Sequence, residues 1–192
     1  MAARALRNPA SRQEAEIPPS SAPIPFDVVY AEHAQFVWRS LARLGVVEAQ
    51  LSDATQEVFI VVHRRLAEFE QRSSLKTWLF GIAMRVASQV RRDKHRRPSE
   101  PLDADVPDPL CSPHENAERA EATRTLYRLL DELSPDQRAL FVLVELEQMT
   151  LADAANAVSA NLHTAASRLK AARRKFESAL KRHRTQDERR RP

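Results

Sequence analysis

TLADAANAVSANLHTAASRLKAARRKF, residues 150 to 176, is the stretch on which the reading of the whole chain turns. Thr150 followed by Asp153 is the chemistry of a helix start, and small apolar residues continue from there to Val158. SANL at 159 to 162 interrupts the pattern, and from Leu162 a longer, more basic helix is predicted to run to Lys181. Two helices joined by a tight turn, the second more cationic than the first, form the pattern of a helix-turn-helix. Leu162, Ala165, Leu169, Ala172, Phe176 and Leu180 repeat at helical spacing and are predicted to face partner helices. His163, Thr164, Ser167 and Arg168 then point away near the helix start, where short polar and cationic side chains reach base edges. Lys170, Arg173, Arg174 and Lys175 follow, where cations neutralise phosphate. A surface helix with a merely solvated cationic face has the same pattern, and the short helix before it argues for DNA.

Working outward, Ser134 and Pro135 open a helix predicted through Gln148, with Leu140, Phe141, Leu143 and Val144 inside. Ser112, Pro113 and Glu115 form a capping-box start for a helix to Glu132 that buries Leu126, Leu129, Leu130 and Leu133. Before it, RRPSEPLDADVPDPLCSP at 96 to 113 has five prolines and no helical period, the best domain boundary in the chain. On its far side three helices are predicted, over 27 to 44 ending at Gly45, 52 to 68 with Ser52 as N-cap, and 75 to 93. Val29, Phe36, Val37, Leu41 and Leu44 line the first, and Val58, Val61, Val62, Leu66 and Phe69 the second. Gly45 and Gly81 are the only glycines, and no segment alternates as a strand does.

The expected fold is therefore all-α, with two small helical domains joined by a flexible linker and a helix-turn-helix in the C-terminal one. Residues 1 to 25 hold five prolines and form an expected disordered extension. Residues 26 to 95 form the first domain, 96 to 113 the linker, 114 to 182 the second domain and 183 to 192 a basic tail.

Charge is distributed in blocks along the 192 residues. Arg85 to Arg97 carries six Lys or Arg against Asp93 alone, residues 99 to 121 carry seven acids against Arg119, and residues 166 to 192 carry eleven bases against three acids. Two basic zones separated by an acidic belt fit two contact surfaces for a polyanion. Cys111 is alone, and the six histidines never cluster at ligand spacing, so the sequence predicts no disulfide, no metal site and no cofactor. No run of 18 apolar residues and no hydrophobic signal core occur, which predicts a cytoplasmic location without membrane insertion.

KTWLFGIAMR at 76 to 85 opens the third helix, whose core face is predicted to hold Leu75, Leu79, Ile82, Ala83, Val86 and Val90. Trp78 sits at one edge of that face beside Arg85, Gln89 and Arg92; Phe80 sits beyond the other edge, near Lys76 and Arg91. Either ring is thus expected half buried. Such an edge of cations and rings also suits a single strand, whose backbone and bases need charge and stacking together.

DATQEVFIVVHRRLAEFEQRSSLKTWLFGIA at 53 to 83 and LSPDQRALFVLVELEQMTLADAANAVSANLHTAASRLKAARRKF at 133 to 176 together closely resemble bacterial RNA polymerase sigma factors of the extracytoplasmic-function group. The resemblance implies a first domain that docks on core RNA polymerase and recognises and melts the minus-ten promoter element, and a second that reads the minus-thirty-five element as duplex. It implies polymerase docking through Asp53, Gln56, Glu57, Val58 and Phe59, the last two divided between core and interface. For the minus-ten element it implies Arg72, Ser73, Ser74, Lys76, Thr77, Trp78, Arg85, Gln89 and Arg92, with a flipped base held by the loop at 70 to 74 and the start of the third helix. For the minus-thirty-five element it implies His163, Thr164, Ser167, Arg168, Lys170, Arg173 and Arg174.

An anti-sigma protein is a further implied partner, while no small-molecule substrate and no enzymatic activity are implied. The sequence departs from the group's common pattern at Arg85, Gln89, Ala165 and Ala166, and in a turn with Val158 and Ser159 where a glycine is usual. A stand-alone helix-turn-helix repressor or activator is the alternative, and the acidic docking helix followed by a basic aromatic one argues against it.

Overall fold

The computed structural model describes residues 24–96 and 113–190. The expected N-terminal extension, the linker and the Ser112 cap fall largely or wholly outside the described residues. Seven α-helices account for the described chain, which contains no strand.

Helix α1 (Phe26–Arg43) follows Pro25 and stops where Gly45 takes a left-handed φ of 91°. Helix α2 (Glu48–Arg65) begins four residues before the expected Ser52 cap. No side chain caps it; the acidic Glu48 in the first turn suits the positive helix end, and buried Leu51 holds that turn to the core. A single 3-10 turn, Leu66–Glu68, leads out of α2. Helix α3 spans Leu75–Arg96 and α4 spans Pro113–Asp131.

Helix α5 (Pro135–Phe141) has a full capping box, the Ser134 hydroxyl accepting from the Gln137 amide while the Gln137 side chain accepts from the Ser134 amide. The helix expected to continue through Gln148 instead widens into a π-helical turn, Val142–Leu146, and Gln148 adopts a left-handed φ of 55°. That widening keeps Val142 and Leu143 fully buried while Glu147 turns toward Arg43 of α1. Helix α6 (Leu151–Ala157) is capped by Thr150, whose hydroxyl oxygen accepts from the Asp153 amide at 3.1 Å. Helix α7 (Leu162–Arg190) runs well past the expected end at Lys181, since no glycine or proline intervenes and the His183–Asp187 pair one turn apart at 3.1 Å supports it.

Helices α1 to α3 pack on one another, α5 and α6 pack on α7, and α3 meets α6, so one apolar cluster runs through both groups. Surrounded by α1, α2 and α6, α3 buries a wider arc than its apolar stripe. Phe80, expected half buried, is therefore fully enclosed. Leu162, expected on the packed stripe of α7, is 55 % exposed because it precedes the turn in which Ala165 first reaches the core.

Candidate nucleic-acid and polymerase interface

Three surfaces hold the predicted site residues. On α2, Asp53, Gln56 and Glu57 are exposed along one polar face, while Val58 is wholly buried and supports the helix from inside. Phe59 is buried too, yet it forms part of the floor of a groove of about 960 Å³ between α1 and α2. Phe26, Tyr30, Trp38, Gln56, Ile60 and His63 are among its walls. Edge-to-face contacts of Phe59 with Tyr30 (4.7 Å) and of Phe26 with His63 (5.0 Å) fix the rings. Tyr30 and Ile60 remain 49 % and 43 % exposed, a large apolar exposure next to a polar helix face.

The second surface is the start of α3 and the loop before it. Ser74 caps the helix, its hydroxyl oxygen accepting from the Thr77 amide at 3.1 Å and sharing a hydrogen bond with the Thr77 hydroxyl at 2.8 Å. Thr77 is 2 % exposed, so its side chain serves this cap and is withheld from solvent, contrary to its expected place on a DNA-facing surface. Arg72 pairs with Glu70, and Gln71 takes a left-handed φ of 54° that turns the loop. Trp78 is half buried, stacked at a tilt on Phe69 with centroids 5.1 Å apart. Lys76 is exposed and its ammonium lies 5.9 Å above the Phe36 ring. Beyond them Arg85, Gln89 and Arg92 form an exposed line, Gln89 accepting from Arg92 at 2.6 Å and donating to Asp93 at 3.2 Å.

The third surface is α7. Asn161 caps it, its side-chain oxygen accepting from the Thr164 amide at 2.8 Å, and Ser159 in the preceding turn has φ 54°. His163, Ser167, Lys170 and Arg174 are exposed, with Thr164 half exposed. Arg168 pairs with Asp136 of α5 at 3.1 Å, and Arg173 with Glu145 at 2.7 Å. The structure thus brings all seven predicted α7 residues to one accessible helix, two of them held by acids of neighbouring elements.

Sequence reasoning missed the seam between the two groups. Arg138 of α5, 6 % exposed, donates from Nε to the Arg43 carbonyl and from Nη1 to Asp131. Arg91 of α3 donates to the Leu44 carbonyl at 2.6 Å, and Arg43 pairs with Glu147. Burial, reinforced by neighbouring Arg138, pushes the Arg91 guanidinium below its usual range, and burial raises the Tyr127 phenol at the same seam. The exposed groove rings were also missed; Ile60, one turn after Gln56, was the available signal.

Residues 29–97 match the family described as Sigma-70 region 2, and residues 123–176 match Sigma-70, region 4. The chain is 32% identical over 139 residues to the ECF RNA polymerase sigma factor SigX of Bacillus subtilis, covering 69% of this chain and 72% of that one. It belongs to the ECF sigma factors. Similarity extends to the sigma factor SigC of Mycobacterium tuberculosis, 32% identical over 139 residues, covering 72% of this chain and 74% of that one. Among solved structures, the sigma factor RpoE of Bartonella quintana with the anti-sigma factor NepR has a TM-score of 0.65 at 22% identity, covering 81% of this sigma factor and 96% of RpoE. CnrH, solved with the cytosolic domain of CnrY, has a TM-score of 0.61 at 22% identity and coverage of 81% and 87%. These two likenesses support the fold. Among the described residues of this sigma factor no helix is long and apolar enough to cross a membrane, and no group of His, Cys, Asp or Glu could hold a metal ion.

Proposed function

We propose a division of labour within this sigma factor, which directs RNA polymerase to promoters. Helices α1 to α3 dock on core polymerase and melt the minus-ten element, and helices α4 to α7 read the minus-thirty-five element as duplex. The protein works in the cytoplasm and catalyses no reaction of its own. The observation that carries this reading is the helix-turn-helix of α6 and α7, which presents His163, Ser167, Lys170 and Arg174 to solvent in the same chain as the Asp53, Gln56 and Glu57 face.

Polar groups one turn apart on α2 suit hydrogen bonds and ion pairs with a cationic partner helix, and the adjoining groove offers Tyr30 and Ile60 as apolar anchors. On α3, Trp78 offers a stacking face, and Lys76, Arg85 and Arg92 offer charge for the backbone of a melted strand. Extracting a base costs about a few kcal/mol, which contacts to the extracted base and strand must return. Melting then needs no nucleotide hydrolysis, because preferential binding of the single strand shifts the duplex equilibrium. The likeness to RpoE, solved with an anti-sigma factor, supports an anti-sigma protein as a further partner.

Reconstitution with purified core polymerase tests the proposal. Co-purification with core and run-off transcripts from discrete start sites are expected. A chain that binds duplex DNA alone and ignores core polymerase would instead be a stand-alone helix-turn-helix regulator.

A further inference from the structure

Arg168 and Arg173 stand apart from the other predicted residues of α7. His163, Ser167, Lys170 and Arg174 are exposed and fall on one stripe of the helix, and among the described residues neither Lys170 nor Arg174 makes an ion pair. With 3.6 residues per turn, Arg168 lies about 130° round the helix to one side of that stripe's centre and Arg173 about 90° to the other. Each meets an acid from an element outside α7. Arg168 Nη1 is 3.1 Å from Asp136 Oδ2 of α5, while Glu145 Oε1 of the π-helical turn accepts from Arg173 Nε at 2.8 Å and lies 2.7 Å from its Nη2.

The backbones that carry the two acids are fixed. Asp136 stands in the first turn of α5, where the Ser134–Gln137 capping box sets the chain and the positive helix end favours a carboxylate. Glu145 belongs to the widened turn anchored by buried Val142 and Leu143. The side chains stay accessible, Asp136 62 % and Arg168 41 % exposed, Glu145 33 % and Arg173 52 %. Ion pairs this open to water contribute little to stability.

Their placement has a larger consequence for DNA. A carboxylate beside a cationic surface repels phosphate and takes one cation out of general charge neutralisation, which weakens binding to any duplex. It also fixes the plane of the guanidinium. The acid approaches one nitrogen of Arg168 and two nitrogens of Arg173, and the remaining donors of each planar fork are offered in one orientation. A fork held in one orientation matches a base edge or a phosphate pair in one register.

We propose that Asp136 and Glu145 are specificity-determining residues of the helix-turn-helix, acting through the arginines they orient. A duplex carrying the minus-thirty-five element meets Arg168 and Arg173 as they are held, whereas any other duplex must draw an arginine off its acid to gain a phosphate contact. This rests on the assignment of α7 to that element. The acids thus lower affinity for DNA in general and raise discrimination, opposite signs that a merely structural tie between α7 and its neighbours does not produce.

The test uses the holoenzyme on two duplexes, one carrying a mapped promoter and one identical except for a scrambled minus-thirty-five element, each titrated over a series of salt concentrations. Asp136→Asn and, separately, Glu145→Gln keep the size of the side chain and remove its charge. Each variant should bind the scrambled duplex more tightly than the wild type does and steepen its log-log salt dependence by about 0.9, the value of one phosphate contact. The promoter-to-scrambled affinity ratio should fall about fivefold, the low end of what one well-oriented base contact supplies. Should one variant lose helicity by circular dichroism, the other decides the matter. Folded variants with the wild-type ratio and slope, or with equal losses on both duplexes, overturn the proposal and leave the sigma reading intact. A wild-type holoenzyme that transcribes from the promoter yet binds both duplexes equally breaks the assignment of α7 to the minus-thirty-five element, and the proposal falls with it.

Discussion

Helices α3 and α7 carry similar chemistry, a cationic edge beside an apolar stripe, but the fold treats them differently. Helix α3 is enclosed by α1, α2 and α6, so Phe80 and Thr77 disappear into the protein, while Lys76, Arg85, Gln89, Arg92 and Asp93 stay exposed. Helix α7 packs one stripe and leaves His163, Ser167, Lys170 and Arg174 accessible at once. A surface for rigid duplex can stand open, since a recognition helix enters a preformed groove. The exposed edge of α3 is narrower. The difference separates what each helix contributes to stability from what it offers to DNA.

The largest expected effect tests the enclosure of α3. Phe80→Ala should destabilise the fold by about 3–5 kcal/mol, whereas Leu162→Ala, on an exposed side chain, should stay within about 0.5 kcal/mol. Urea unfolding followed by circular dichroism compares the two, and similar losses would erase the contrast between the helices. On α7, Arg174→Ala should flatten the log-log salt dependence of duplex binding by about 0.9, the value of one phosphate contact. An unchanged slope removes Arg174 from the phosphate face.

Smaller effects sharpen the edges of the comparison. Ser159 holds a left-handed backbone in the turn before α7, where a side chain is disfavoured, so Ser159→Gly should stabilise the protein by about 0.5–1 kcal/mol in thermal melts. Near α3, burial depresses the His33 pKa below its ordinary 6.5, with Lys76 lowering it further and Glu32 opposing. The unfolded chain then binds the proton more readily, so stability is fully present above pH 6.5 and declines as pH falls below it toward the folded value. His33→Gln should flatten that decline in a pH series of melting temperatures.

Which features were legible in the sequence follows from the range of the interactions that fix them. The start of α6 is set by local chemistry at Thr150 and Asp153, and the outward face of α7 by spacing alone, so both could be read directly. Most of the buried stripe of α1 was legible for the same reason. Burial of Phe80 was not, because it depends on helices distant in sequence closing over α3. The widened turn after α5 and the early start of α2 likewise answer to Arg43 and to the core rather than to local propensity. Arg138 looked like any arginine in a helix; only the carbonyl it meets, 95 positions away, distinguishes it. Thr77 shows the reverse case, a residue that the family resemblance assigns to the minus-ten surface and that its own helix cap claims.

The most direct test of the division of labour is a paired measurement on holoenzyme at one mapped promoter, duplex retention in a gel alongside permanganate reactivity of the minus-ten strand. Arg85→Ala should lower strand reactivity at least tenfold while retaining duplex binding, and Arg168→Ala should weaken duplex binding by about 1–3 kcal/mol. Equal losses in both readouts for both variants would contradict the assignment of melting to α3 and duplex reading to α7.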